Sequence, residues 1–331
     1  MGLVTNIAAL VFPSEIDTLE FLGAAGGQLV VRLTVDEQKL LDSVFYYDSS
    51  GRVKVEGLQD LVEPFLRDGV LHSLKISTND GVAKSASILA CSVENVDGAV
   101  EFCEECFLTL LSVAKTTYVG AKELVSLYLT SGQEMNISRS WLKDGVVFHD
   151  RATLMLPAGL QTVDVSPPAA AGQLLLDYDV RVGKRRLSFM LNHDMDSDPV
   201  SVLFRNAFGQ VETFHFFGQV EKEVKPVRSS AIMGGRYVNY KIENVPSWKA
   251  STVLRLDGDV SLAEDLASAL YAERVSDSCP IAITEVDLKP DNNRYGVVSM
   301  SATWREENRV RRFIPRHRVR VFDATFDATY E

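Results

Sequence analysis

Hydrophobic and polar residues alternate with a period of two along most of this chain. The stretches QLVVRLTV (Gln28–Val35), SVFYYD and RVKVEG (within Ser43–Gly57), LHSLKIS (Leu71–Ser77) and KSASILACSV (Lys84–Val93) read as strands. Asp48-Ser49-Ser50-Gly51 supplies a turn, with Gly51 free to take positive φ. Two stretches change to helical spacing. In LQDLVEPFLRDG, Leu58, Leu61, Val62, Phe65 and Leu66 share one face, and Pro64 keeps the helix near 58–68 short or bent. In SLAEDLASALYAERV, Ser261 and Glu264 form a capping box for a helix near 261–274, with Leu262, Leu266, Ala269 and Leu270 as its stripe. AVEFCEECFLTLLS (Ala99–Ser112) fits either helix or strand.

Extended stretches then continue through TTYVG, ELVSLYLTSG and VVFHDRATLMLPAG to SPPAAAG (Ser166–Gly172). Two prolines and small residues mark that segment as a linker. It divides the chain into N-terminal (1–165) and C-terminal (166–331) β-rich domains. The second half ends in a hairpin predicted to turn at Pro290–Asn293. The fold expected is mainly β: tandem β-sandwich or barrel-like modules with two or three short helices.

The most apolar region is VLFRNAFGQVETFHFFGQV (Val202–Val220). It reads as a strand, a turn at Asn206–Gly209 and a returning strand, with Gly218 as a bulge. Phe214, Phe216 and Val220 share one parity; Val211, Thr213, His215 and Phe217 share the other. Both faces are therefore substantially apolar and both need a cover. The core of its own module supplies one cover; a neighbouring module or the helix at Ser261 is a candidate for the other. A subunit interface is a further candidate, with Arg205, Phe208, Phe214, Phe216 and Phe217 as anchors. Arg205 also reads as a turn-stabilising arginine.

The length of 331 residues suits two or three domains, and 46% hydrophobic with 24% charged residues is an ordinary globular composition. The net charge of −11 argues against a polyphosphate-binding surface. No Lys or Arg precedes the first apolar run, and no apolar segment approaches the ~18 residues of a membrane span, so a cytosolic chain is expected. Four cysteines are too few for a disulfide scaffold, and Cys103-x-x-Cys106 lacks the second pair that zinc requires. In HDMDSDP, Asp194, Asp196 and Asp198 alternate as in a calcium loop. Pro199 then stands where glycine is needed and Arg205 where the bidentate glutamate belongs. The five histidines are scattered, GAAGG (Gly23–Gly27) has no phosphate-loop spacing, and no G-x-S-x-G or H-E-x-x-H is present. The expectation is no catalytic residues, no metal and no cofactor.

Trp304–Val321 is anomalous in this acidic chain, concentrating Arg305, Arg309, Arg311, Arg312, Arg316, Arg318 and Arg320. A solvated strand face is one reading. Guanidinium forks suited to carboxylates on another subunit are the second. Nucleic acid is disfavoured because no aromatic ladder accompanies the strip. Trp141, Trp248 and Trp304 are candidates for a sugar platform but lie far apart in sequence.

YYDSSGRVKVEGLQDLVEPFL, CFLTLLSVAKTTYVGAKELVSLYL, VSVLFRNAFGQVETFHFFGQVEKEVKP and MGGRYVNYKIE, in that order, resemble virion structural proteins of phages and prophages of gut bacteria. FRNAFGQVETFHFFG (Phe204–Gly218) is the most specific piece, and the similarity runs from about Gln28 to Phe313. The resemblance implies a tail or baseplate-type building block of β-sandwich modules that forms rings. It would be assembled in the host cytoplasm into a virion, with copies of itself and neighbouring tail proteins as partners. It carries over no functional residues. The alternative is a carbohydrate-binding or adhesin-like β-sandwich protein.

Overall fold

The computed structural model describes residues 2–79, 81–93, 98–111, 113–194, 198–289 and 298–306. The fold is mainly β, with three short α-helices among those residues. Side chains sort into three principal cores along the chain and a fourth cluster at their junction.

The first module contains β1 (Gly2–Leu3), β2 (Leu10–Val11), β3 (Leu19–Leu22), β4 (Gln28–Val35), β5 (Gln38–Tyr46), β6 (Arg52–Val55), α1 (Leu58–Val62), β7 (His72–Thr78) and β8 (Gly81–Ile88). A three-stranded sheet, β1-β3-β6, packs with a five-stranded sheet, β2-β8-β7-β4-β5. The alternation in β4 buries Leu29, Val31, Leu33 and Val35. Gly51 does adopt positive φ, +75°, and Asp48 accepts the N–H groups of Ser50 and Arg52. That turn joins strands of different sheets instead of closing a hairpin. Pro64 falls in a 3-10 turn that ends α1 after five residues.

The second module follows with α2 (Ala99–Glu105), β9 (Ala114–Thr117), β10 (Leu124–Leu129), β11 (Gln133–Lys143), β12 (Val146–Leu156), β13 (Gly159–Asp164), β14 (Leu174–Val182) and β15 (Arg185–Leu191). The β12-β11-β14-β15-β9 sheet faces the β10–β13 pair over Leu127, Met135, Trp141, Tyr178 and Phe189. Ser166–Gly172, read as an interdomain linker, connects β13 to β14. Val165, Ala170 and Leu175, on and around it, belong to one core. The described chain passes between cores after β8 and after β15 instead.

The third module comprises β16 (Val200–Arg205), β17 (Val211–Phe216), β18 (Val220–Met233), β19 (Arg236–Leu254), α3 (Asp257–Ser268), β20 (Ala272–Arg274), β21 (Cys279–Lys289) and β22 (Val298–Glu306). Its sheet runs β17-β16-β20-β21-β22-β19-β18, all antiparallel. The sheet curls until its ends meet: Gly218 donates to the Ser251 carbonyl at 3.0 Å and Ser251 to that of Gln219 at 3.1 Å. Gly218 was expected as a bulge. Its role is this close approach, since a Cβ there would collide with the Ser251 carbonyl. The predicted turn at Pro290–Asn293 lies outside the described residues.

Helix α3 starts four residues before the expected Ser261. Asp259, not the Ser261–Glu264 pair, accepts the Leu256 N–H at 3.3 Å. Leu262 and Leu266 are buried as predicted, whereas Leu270 lies beyond the helix and is 76% exposed. Strands β18 and β19 outrun the barrel. They pair from Val220↔Ala250 to Met233↔Arg236, while β19 meets β22 only over Trp248–Leu254. Among the described residues, Arg236–Ser247 thus has β18 as its sole strand neighbour. The result is a two-stranded arm about 40 Å long at ~3.3 Å per residue. Gly234 and Gly235, at φ +57° and +77°, form its tip, beside exposed Ile232 and Tyr237.

Candidate functional site

The three modules meet at the turn of the β16–β17 hairpin. The Asn206 side-chain oxygen accepts the N–H groups of Phe208 (3.0 Å) and Gln210 (2.9 Å), which holds the turn closed. Its amide nitrogen donates to the Leu108 carbonyl (2.8 Å) and Glu212 (2.9 Å). Phe208, fully buried, enters a cluster with Phe12 and Phe102, at 6.0 and 5.0 Å between ring centroids. Arg205 Nη1 donates to the carbonyls of Asp68 (2.5 Å) and Gly209 (2.9 Å), and Gln210 donates to that of Gly69 (3.0 Å). The R-N-x-F-G turn is therefore a plug that locks the first and second modules onto the third.

The two-sided burial of the hairpin is present, and both covers belong to the same chain. Phe204, Phe214 and Phe216 pack with Leu262 and Leu266 of α3 and with Trp304. The other face, carrying Ser201, Thr213 and His215, lies against the second module. Phe208, Phe214 and Phe216, offered above as subunit-interface anchors, are internal and present no surface to another chain. Arg205 is the turn-stabilising arginine of the simpler reading. Phe217 is half-buried against Tyr118 and His215. Arg311, Arg312, Arg316, Arg318 and Arg320 lie outside the described residues.

Between the second and third modules runs a buried polar chain that no motif announced. Lys115 Nζ binds Glu123 Oε2 at 2.6 Å and also donates to the Thr213 carbonyl. Glu123 Oε1 lies 2.7 Å from His215 Nε2. His215 Nδ1 lies 2.7 Å from Ser201 Oγ, which is 2.9 Å from Tyr118 Oη. Burial alone would raise the Glu123 pKa, but the charge of Lys115 and the hydrogen bonds from His215 and Lys115 outweigh it and hold the carboxyl down to about 2. Burial lowers the His215 pKa and keeps the imidazole neutral. A carboxylate only accepts, so Nε2 carries the proton, Nδ1 accepts from Ser201, and Tyr118 donates to Ser201. Ser201-His215-Glu123 has the connectivity of a nucleophilic triad. Ser201 is only 6% exposed, and its hydroxyl is held between His215 and Tyr118 inside the contact between the modules. The arrangement holds modules together.

Asp259 adds a second tie, accepting the N–H (2.8 Å) and hydroxyl (2.7 Å) of Thr116. Arg185, 3% exposed, donates to the carbonyls of Cys103, Cys106 and Tyr128, which fixes the end of α2 to the second module's sheet. Burial pushes the Cys91 and Cys103 thiols up to about 11 and about 12, so both are protonated at neutral pH. Among the described residues no group of three or more His, Cys, Asp or Glu could hold a metal ion, and no helix is long and apolar enough to cross a membrane. Trp248 and Trp304 are cross-strand partners in the barrel, while Trp141 is buried in the second module, so the three do not form a platform.

A cleft beside the junction, about 540 Å³, is lined by Glu63, Leu66 and Arg67 after α1, the Asn206–Gly209 turn and the end of α3. Leu66, Ala269, Leu270 and Tyr271 give it an apolar wall. Asp265, 2% exposed, also lines it, and its Oδ2 has no hydrogen-bond partner. Burial first, and then the Glu212 charge, raise the Asp265 pKa to about 7.

No family model and no curated protein matches the chain. Among solved structures, it is aligned with a chain from a study of host cell surface retention of a 1.5-MDa bacterial ice-binding adhesin. The identity is 12%, covering 90% of this chain and 93% of that one, at a TM-score of 0.16, too low to show a shared fold.

Proposed function

We propose that this chain is a structural assembly protein of a phage tail or tail-like particle, joining copies of itself and neighbouring tail proteins. The β18–β19 arm carries the reading. A two-stranded ribbon is marginal in water by itself and leaves backbone groups open along its edges. This one also exposes Ile232 (64%) and Tyr237 (82%) near its tip. Such an arm gains stability when another chain covers it. The sequence resemblance supplies the kind of particle.

The test is the mass of the purified full chain by light scattering as concentration rises, with negative-stain imaging. A discrete ring or an open polymer is expected. A chain that stays single at high concentration overturns the reading. Charge reversal of Arg316, Arg318 and Arg320 together is expected to abolish assembly while the circular dichroism stays unchanged. An unaltered oligomer in that variant removes the basic strip from the contact.

A further inference from the structure

The geometry points to a head-to-tail contact in which the arm tip of one copy enters the cleft beside Asp265 of the next. This rests on the assembly reading and names the surfaces that meet. Strand directions place the two features apart. The barrel's strands alternate in direction from β17 through β16, β20, β21, β22 and β19 to β18, so β17 and β18 run the same way. β17 begins beside the cleft-lining Asn206–Gly209 turn, and β18 ends at the arm tip. Cleft and tip therefore sit at opposite ends of the barrel. Different surfaces that meet in this way form a heterologous contact, which closes into a ring or runs on as a filament.

The chemistry of the two ends is complementary. Ile232 and Tyr237 are cross-strand partners, so their side chains leave the arm on one face as a joint apolar knob. The cleft of about 540 Å³ offers an apolar wall that includes Leu270, 76% exposed. Arg236, next to Tyr237 at the tip, is a donor of the kind that the unpartnered Asp265 Oδ2 lacks. Tyr and Arg are also the residue types that dominate binding energy at interface centres.

The experiment uses the full chain with a photo-crosslinking phenylalanine at Tyr237, followed by peptide mapping. It also uses Tyr237→Asp and Leu270→Asp, both at exposed positions that leave the cores intact. The expected result is a crosslink from position 237 of one copy to peptides holding Leu66 or Leu270 of another. Association should be weaker by about tenfold or more in each variant. If the wild-type chain assembles but the crosslink maps elsewhere, or both variants assemble normally, the tip-in-cleft contact is overturned and the assembly reading stands. If the wild-type chain does not assemble, both fall.

Discussion

Lys115→Met tests the buried ion pair that the second module presents to Thr213 and His215 of the third. Methionine keeps much of the length and apolar volume but leaves Glu123, 1% exposed, without its cation. The size of the effect follows by two routes. In the intact protein the Glu123 carboxyl lies at about 2 instead of 4.5, a difference of ~3–4 kcal/mol at ~1.4 kcal/mol per unit. Independently, removing one partner of a buried pair costs ~3–5 kcal/mol. The single variant is therefore expected to lose ~3–5 kcal/mol near neutral pH. The pH dependence also changes sign. With Lys115 present, the depressed Glu123 pKa contributes stability that is complete above 4.5 and lost as pH falls toward about 2. Without Lys115, burial is opposed only by the His215 hydrogen bond, and the folded-state pKa is expected to rise above 4.5. The penalty is then largest above that raised value and fades as the carboxyl takes up a proton. Urea unfolding followed by tryptophan fluorescence, at several pH values from neutral down to about 4, measures the gap. It should narrow steadily with acidification. Lys115→Met with Glu123→Leu should recover most of the loss, because no lone charge remains buried. A single variant within ~1 kcal/mol of wild type, or a gap independent of pH, would refute a buried charge at Glu123.

Two further outcomes follow from the first module. His72 lies between Asp36 (2.5 Å) and Asp68 (2.8 Å). Burial lowers its pKa, but hydrogen bonds to the two carboxylates outweigh this and leave it raised above 6.5. Its contribution is complete below 6.5 and disappears as pH rises through the folded-state value. Melting temperatures between about pH 6 and 9 should fall in wild type more than in His72→Gln, and parallel curves would exclude the effect. Gly69 and Gly57 both sit at φ +75°, but a Cβ at Gly69 would strike the Gly209 carbonyl and Arg205, whereas Gly57 has open space. Gly69→Ala is expected to cost ~2 kcal/mol or more and Gly57→Ala ~1 kcal/mol. Equal losses in a denaturant titration would mean the junction yields freely.

Period-two patterning by itself determined the strands, because alternate residues of an extended chain point to opposite faces whatever pairs with them. It placed β4, β7 and β17, and it showed that the β16–β17 hairpin needs two covers. Local chemistry likewise set the Gly51 turn and the early end of α1 at Pro64. The helix at Ser261 was legible as a candidate cover of the hairpin, but which of the candidates applies was not. α3 and the second module cover it, and Phe208, Phe214 and Phe216 turned inward, because a cover is a contact between segments distant in sequence. The linker-like Ser166–Gly172 shows the same limit: two prolines mark a loop but not whether its flanking strands share a core. The cap of α3 came from Asp259, which reaches Thr116 across 143 positions, and not from the local Ser261–Glu264 pattern. The network of Lys115, Glu123, Ser201 and His215 left only a faint trace, single polar residues inside apolar strands. A buried charge is tolerable only beside its partner, and here the network is complete only when the second and third modules close.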